Sequence, residues 1–185
     1  MQYDRLSMLT TRSTTTVLLA SLVLGLGSGC AARRVVSGIK NAVSDERNET
    51  AVRAAHDGFY AALNTMFTGD IAPMNAVWSH DADVSDQGPF GSRTVGWDAV
   101  GAHFKHEAGL KLGGKVASED VLVRFSDDMA YTVCVEHGEH MTVDGKPVDV
   151  RFRATNIFRL QDGAWKMVHH HTDLSAPLQA AVGKK

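Results

Sequence analysis

Hydrophobic residues recur at helical spacing in the first part of the chain, beginning near residue 44. The residues on this face, three or four positions apart, are Val52, Ala55, Phe59, Leu63 and Met66. The pattern predicts an amphipathic helix that starts with Ser44 as N-cap and ends at Gly69. Asp70 is expected to cap a short second helix that ends at Trp78, and a third helix is expected to open at Gly96.

From Lys115 onward the hydrophobic spacing changes to period two, which is typical of strands with one covered face. The pairs Asp144-Gly145 and Asp162-Gly163 lie where hairpin turns would join such strands. Gly88 and Pro89 predict a further turn between two brief strands within residues 81–94. Three helices followed by a curved antiparallel meander predict an α+β domain, in which the helices cover one face of the sheet and the strand ends flare into a cavity.

The N-terminal segment differs in composition from the rest of the chain. Arg5 and Arg12 precede an uncharged stretch, residues 13–32, whose apolar centre is shorter than the roughly 20 residues of a membrane-spanning helix. Small residues then precede Cys30, and this arrangement resembles the site at which bacterial lipoprotein signals are cleaved and the cysteine is acylated. We therefore predict a signal peptide over residues 1–29 and a lipid on Cys30.

The remaining boundaries follow from this assignment. We expect a tether over residues 30–43, a folded domain over residues 44–174 and a C-terminal tail over residues 175–185. The protein is then expected in the bacterial cell envelope, anchored to a membrane by its lipid. Soluble export to the periplasm is the second choice.

Composition and charge exclude several classes of protein. A length of 185 residues with 44% hydrophobic and 22% charged residues suits one globular domain. A formal net charge of −2 offers no basic field for nucleic acid. The chain has no glycine-rich phosphate loop, nucleophile elbow or compelling metal spacing, so we expect no cofactor.

With Cys30 lipidated, Cys134 is left without a disulfide partner and is expected to be a small core residue.

Two segments carry a family resemblance. The first runs from Trp78-Ser79-His80-Asp81 to Trp97-Asp98, and the second comprises residues 153–159 and 165–173. With the order of helices, turn and hairpin, they resemble the nuclear transport factor 2-like (NTF2-like) superfamily, in particular its SnoaL-like or DUF4440 branch. The resemblance implies a cone-shaped domain with an internal pocket and pairing of two cones through their sheets. It implies no single reaction, because the superfamily includes isomerases, cyclases, hydrolases, dehydratases and association domains.

The isomerase branch of this superfamily offers three positions for comparison. Asp86, just before the Gly-Pro turn, falls where those isomerases have a general-base aspartate. Asn156 falls where they have an acid that donates a hydrogen bond to a developing oxyanion, a role that an amide can also fill. Phe59 takes the place of a tyrosine on the first helix, with Tyr60 turned about 100° away. The resemblance therefore argues against ketosteroid isomerase activity in particular.

Other polar residues are assigned by local geometry. Asn156 alternates with Phe158 on an apolar face, so it is expected to be either a ligand contact or a structural hydrogen-bonding group. Asp86 is equally compatible with a pocket base and with a turn residue that bonds its own backbone. His103 and His106 are expected to be solvated surface residues on the third helix.

The last strand carries three consecutive histidines, and strand parity separates them. Parity places one set on a common face, namely Trp165, Met167, His169, His171 and Asp173. Val168 and His170 fall on the opposite face, so the three histidines cannot converge on one metal ion. A zinc site at His169 and His171 would need a third ligand such as His137 or His140. We expect instead that one histidine lines the pocket as an acid–base or hydrogen-bonding group and that the others are interface or surface residues. Glu136 is expected to lie on a wet rim.

These assignments define a candidate site. The catalytic candidates are Asp86 and His171. The ligand-binding candidates are Trp78, Asp86, Trp97, Asn156, Phe158, His169 and His171. We expect an exported domain that binds a small, partly apolar organic molecule, with Asp86 or a histidine as general base for cofactor-free isomerisation, dehydration or hydrolysis.

The alternative function is a non-catalytic association module of the cell envelope. In this interpretation the domain forms a homodimer through its exposed sheet face. Arg151, Arg153 and Arg159 share the outward face of the penultimate strand and would lie at the interface or in solvent. A filled cavity with a large sheet interface would favour this alternative over a ligand-binding domain.

Overall fold

The computed structural model describes the backbone of residues 29–182 and the side chains of residues 44–182. Residues 1–28 of the predicted signal peptide and the side chain of Cys30 therefore lie outside the described part. The chain divides into two compact units, Met1–Ser37 and Gly38–Lys185. No helix among the described residues is both long and apolar enough to cross a membrane.

Four helices and six strands occur within residues 29–182. The helices are α1 (Gly29–Met66), α2 (Ala72–Val77), α3 (Trp97–Leu110) and α4 (Ala176–Val182). The strands are β1 (Ser85–Gln87), β2 (Thr94–Val95), β3 (Lys115–Phe125), β4 (Met129–Val143), β5 (Lys146–Gln161) and β6 (Ala164–Thr172).

Two predicted element boundaries are wrong. Helix α1 continues upstream of Ser44, because residues 30–43 contain no proline and the single glycine there, Gly38, does not interrupt the helix. At the other end of the domain, the predicted tail forms α4, which carries Pro177 at a position that a first turn tolerates. Leu178 of α4 is buried in the core.

The six strands form one sheet in the order β2-β1-β6-β5-β4-β3. Neighbours pair antiparallel except β1 and β6, which run parallel, so the antiparallel meander is confirmed for β3 to β6. Both Asp-Gly pairs have positive φ, 51° and 73° at Asp144-Gly145 and 50° and 79° at Asp162-Gly163. Since positive φ at both central residues characterises tight two-residue hairpins, both predicted turns are confirmed.

The hydrophobic core lies between the inner face of this sheet and the helices. It includes Phe59 and Met66 of α1, Phe104 of α3 and Phe158 of β5, all of them buried. This arrangement is the α+β fold of helices on a curved, largely antiparallel sheet that the sequence predicts. Cys134 of β4 is buried in the same core, as expected.

A register shift in β6 decides which histidine faces the core. Phe158 of β5 pairs with Met167, but the preceding residue, Ile157, pairs with His169, so Val168 is an extra residue in β6. A bulge of this kind reverses the alternation of side chains beyond it. Met167 and Val168 are therefore both buried, and beyond the bulge His170, not His169, turns inward.

Candidate functional site

An internal cavity lies between the helices and the inner face of the sheet. Its volume is about 30 Å³, which is room for about two water molecules. Its apolar lining residues are Phe59, Leu63, Phe67, Met74, Pro89, Phe90, Phe104, Val116, Met141, Val150, Phe152 and Leu178. Its polar side chains are Asp86, Glu107, Glu136 and His170. The cavity is thus an apolar chamber with three carboxyl groups in its wall.

Asp86 lies in β1, where parallel pairing with β6 turns its side chain into the cavity. It is 1% exposed, and burial, followed by the charge of Glu107, raises the pKa of its carboxyl to about 8. The backbone N–H of Gly88 donates to Oδ2 at 3.3 Å, so the turn bond that the sequence suggested is present. Oδ1 has no hydrogen-bond partner among the described residues. Asp86 therefore combines a turn contact with an oxygen that lacks a partner inside the cavity wall.

Glu107 brings a second carboxyl to the cavity from α3. It lies one turn after His103, and His103 Nε2 is 2.7 Å from Glu107 Oε1. The adjacent Glu107 raises the pKa of His103, whereas burial raises the pKa of Glu107. The contact favours a protonated His103 beside an ionised Glu107, whereas burial of the carboxyl opposes its ionisation. His103 also contacts the hydroxyl of Ser92 at 3.2 Å, so it is not the solvated surface residue that the sequence predicted.

Glu136 of β4 is the third carboxyl, and it is 3% exposed. Burial raises its pKa to about 7. The hydroxyl of Tyr60 donates to Glu136 Oε1 at 2.8 Å, and Tyr60 Oη lies 3.2 Å from Cys134 Sγ. Glu136 is therefore not on the wet rim that the sequence predicted, and Tyr60 points into the core beside the buried Phe59.

Asn156 joins these groups to His170. Its amide nitrogen donates to Tyr60 Oη at 3.2 Å and to Thr132 Oγ1 at 3.3 Å. Its carbonyl oxygen lies 2.7 Å from His170 Nδ1, which must be the donor because an amide oxygen can only accept. Burial lowers the pKa of His170 to about 3, so the ring is neutral near pH 7. Asn156 is thus buried one hydrogen bond behind the cavity wall.

The same network continues away from the cavity to His56 on α1. His56 Nδ1 lies 2.9 Å from Thr132 Oγ1, and Nε2 lies 3.0 Å from Ser118 Oγ. Burial lowers the pKa of His56 to about 4. Because both ring nitrogens are occupied and the residue does not line the cavity, His56 holds α1 against the sheet.

The structure places the predicted site residues at different distances from the cavity. Asp86 lines the cavity, and Asn156 lies behind its wall. Trp78 and Phe158 are buried in the core but do not line the cavity, and Trp97 is half-buried and stacks on His80 at a ring-centroid distance of 4.2 Å. The functional roles proposed for these residues remain predictions.

The face assigned to His169 and His171 was wrong. His171 is exposed, and the half-buried His169 contacts Ser85 Oγ through Nδ1 at 2.8 Å, away from the cavity. The cause is the bulge at Val168, which reverses the parity of the strand. His170 takes the inward position. Among the described side chains, no group of three His, Cys, Asp or Glu residues could hold a metal ion.

Sequence reasoning missed Glu107, Glu136 and His170 as cavity residues. A helical signal was available for Glu107, because it follows Phe104 by three positions on the buried face of α3. Glu136 alternates in phase with Cys134, so its inward direction also follows from that buried position. No comparable signal identifies His170, since nothing local in the sequence predicts the bulge.

The fold and the position of the cavity define a domain of the NTF2-like class. The SnoaL-like domain family matches residues 52–179, and the chain belongs to this family. Placement in its DUF4440 branch stays a prediction. No curated protein matches the chain.

Solved structures extend the comparison. A Streptomyces avermitilis protein described as a candidate dehydratase of the NTF2-like family is 24% identical, with a TM-score of 0.60 over 70% of this chain and 96% of that chain. A candidate calcium/calmodulin-dependent protein kinase type II association domain from Thiobacillus denitrificans is 26% identical, with a TM-score of 0.56 over 65% and 92% of the two chains. A candidate ketosteroid isomerase from Shewanella frigidimarina is 19% identical, with a TM-score of 0.54 over 66% and 94%.

Proposed function

We propose that this domain binds a small, partly apolar organic molecule in the internal cavity and that Asp86 is its acid–base group. The observation that carries the proposal is the carboxyl of Asp86, buried against an apolar chamber with Oδ1 unpaired among the described residues. Leaving a buried polar atom unpaired costs about 1 to 3 kcal/mol. Groups of this kind concentrate at functional sites, where a ligand supplies the missing partner.

The acid–base assignment rests on two carboxyls that titrate near neutrality. The pKa of Asp86 is about 8 and that of Glu136 is about 7. Such groups can both accept and donate protons near pH 7, as general acid–base catalysis requires. We propose cofactor-free isomerisation, dehydration or hydrolysis as the reaction types, with Asp86 as the base once it is ionised.

The size of the cavity sets a condition for binding. Room for about two water molecules is less than an organic molecule needs, so the walls must yield when it binds. Met74 and Met141 line the cavity, and unbranched methionine side chains adapt readily to new shapes. Leu178 of α4 also lines the cavity, so a small movement of α4 would enlarge the chamber.

Native mass spectrometry of the purified full-length protein tests ligand binding. We expect a retained small molecule, released on denaturation. Leu178→Trp should abolish retention because it fills the cavity, whereas Leu174→Trp should not, since Leu174 is 63% exposed and Leu178 only 1%. Retention that survives Leu178→Trp in a folded protein would place the ligand elsewhere and refute the proposal.

A second candidate function is the association module. The outer face of the sheet exposes three large hydrophobic residues: Leu122, Tyr131 and Val133. An apolar groove on the same face is lined by Phe125, Met129, Tyr131 and Ile157. Exposed apolar area of this kind favours an interface between copies of the chain. We propose that two copies pair through this face, as an alternative to catalysis or together with it.

Sedimentation velocity at micromolar concentration tests this pairing. Tyr131→Asp should convert a dimer to a monomer because it buries a charge in the interface. Val95→Asp serves as a matched control, since Val95 is an exposed hydrophobic residue of the short strand β2. A monomeric wild-type protein would contradict the pairing.

We also propose that the chain is exported and anchored through a lipid on Cys30. The support is the short apolar run that ends in small residues just before this cysteine. Cys30→Ser should leave an uncleaved or soluble form when cells are fractionated. Mature membrane-bound protein that retains the residues before Cys30 would refute the anchor.

A further inference from the structure

We propose that the cavity selects small primary amines, whose ammonium group is held by the buried carboxyls of Asp86, Glu107 and Glu136. This inference rests on the proposed function, because it names the ligand class for the same cavity. It also predicts that carboxylates of equal size are rejected.

Once Asp86 and Glu136 are ionised, the polar part of the wall has acceptors to spare and few free donors. The hydroxyl of Tyr60 already donates to Glu136, and Asn156 already donates to Tyr60 and Thr132. His170 uses Nδ1–H on Asn156, while Asp86 Oδ1 has no partner among the described residues. An ammonium group brings three donors and no acceptor, which complements this wall.

No lysine or arginine lines the cavity in the part of the chain that the structure describes. His170 is neutral near pH 7, and His103 does not line the cavity but lies against Glu107, with its Nε2 2.7 Å from Oε1. Once Asp86 and Glu136 are ionised, a bound carboxylate would therefore meet two negative charges with no cation in the cavity lining. An ammonium group would instead offset one of these two charges.

This arrangement couples amine binding to pH. Asp86 faces Glu107 and His103 from α3, Glu136 from β4 and His170 from β6. The pKa of its carboxyl, about 8, means that it must lose a proton before it can pair with an ammonium group. Alkylamines stay protonated throughout this range, as the lysine side chain with a pKa of about 10.4 does. Amine affinity should therefore rise with pH between 6 and 8.

The apolar part of the wall fixes the size of the ligand. The chamber is small, about 30 Å³, and bounded by Phe59, Phe104 and Leu178, so a short alkyl group such as a branched C4 group suits it better than a long chain. Isobutylamine, isobutanol and isobutyrate share this alkyl group and differ in charge. They form a matched set in which only the polar head varies.

The test is an NMR titration of the full-length protein with each of the three compounds at pH 6, 7 and 8. We expect isobutylamine to bind about tenfold more tightly than isobutanol at pH 8, which is the effect of about one charge-assisted hydrogen bond. The affinity for isobutylamine should increase several-fold from pH 6 to pH 8. Isobutanol affinity should not increase, and isobutyrate should bind most weakly.

Variants locate the effect within the cavity. Asp86→Asn and Glu136→Gln should each reduce the preference for isobutylamine while isobutanol still binds. Asp127→Asn is the control, because Asp127 is an exposed carboxylate outside the cavity. Should Asp86→Asn fail to fold, Glu136→Gln and the pH dependence of the wild type still decide the question.

The outcomes separate this inference from the proposed function. If isobutanol or isobutyrate binds as tightly as isobutylamine, the amine proposal is wrong and the cavity remains a ligand site. The amine proposal is equally wrong if amine affinity is independent of pH. If none of the three compounds binds, both proposals fail.

Discussion

Replacing Glu136 with glutamine should stabilise the protein in a strongly pH-dependent way. The side chain is 3% exposed, and burial raises its pKa from the ordinary value of 4.5 to about 7. Glutamine keeps the shape and the oxygen that accepts from Tyr60 but carries no charge. The variant therefore removes the cost of ionising a buried carboxyl and leaves the other groups in place.

The sign and size of the effect follow from proton linkage. Between pH 4.5 and 7 the folded state holds this proton while the unfolded state has lost it, so the free energy of unfolding falls as the pH rises. At about 1.4 kcal/mol per pH unit, the full loss is about 3 kcal/mol and is complete above pH 7. The advantage of Glu136→Gln over wild type should grow by that amount from pH 4.5 to above pH 7.

Urea unfolding followed by tryptophan fluorescence at pH 4.5, 6, 7 and 8 measures this difference. Glu139→Gln is the matched control, because Glu139 lies three positions further along β4 and is exposed to solvent. Its effect on the free energy of unfolding should be small at every pH. A Glu136→Gln advantage that does not change with pH would show that Glu136 is not a buried carboxyl of raised pKa.

Two further substitutions test the surroundings of the cavity. Tyr60→Phe should destabilise the fold by about 1 to 2 kcal/mol, because Asn156 and Glu136 each lose a partner. Because the Tyr60 hydrogen bond lowers the pKa of Glu136, Tyr60→Phe should raise this pKa further, so that the loss of unfolding free energy with rising pH continues above pH 7. An unchanged pH dependence in urea unfolding would argue against this network. Gly114→Ala should destabilise strongly in thermal unfolding, because its φ is +68° and a Cβ would meet the backbone of Glu139 and Met141. Gly109→Ala, in α3 with open space around it, should instead stabilise by up to about 1 kcal/mol, and equal effects of the two substitutions would contradict this account.

The fold was predictable because local signals and packing agree. Helical spacing on α1 and the Asp-Gly turns specify the elements, and period-two strands after three helices leave few ways to cover the sheet. The exceptions have physical causes. Nothing between residue 30 and Ser44 stops a helix, and the last residues form α4 because Leu178 completes the apolar wall of the cavity.

The site was only partly predictable, because its residues violate the hydrophobic pattern. In β4 the apolar Tyr131 and Val133 face outward, whereas Thr132 and Glu136 face inward, so hydrophobicity alone selects the wrong face. In β6 the bulge at Val168 reverses parity without any local signal. Asp86 was identified from its position before the Gly-Pro turn and from the family resemblance, neither of which depends on side-chain parity.

The position of the ligand is the central claim, and methionine methyl NMR of the full-length protein tests it most directly. Met74 and Met141 line the internal cavity, whereas Met129 lines the groove on the outer face of the sheet. On titration with isobutylamine, isobutanol and isobutyrate, the methyl signals of Met74 and Met141 should shift for whichever compound binds, and that of Met129 should not. Shifts confined to Met129, or no shift with any of the three compounds, would contradict a ligand site inside the domain.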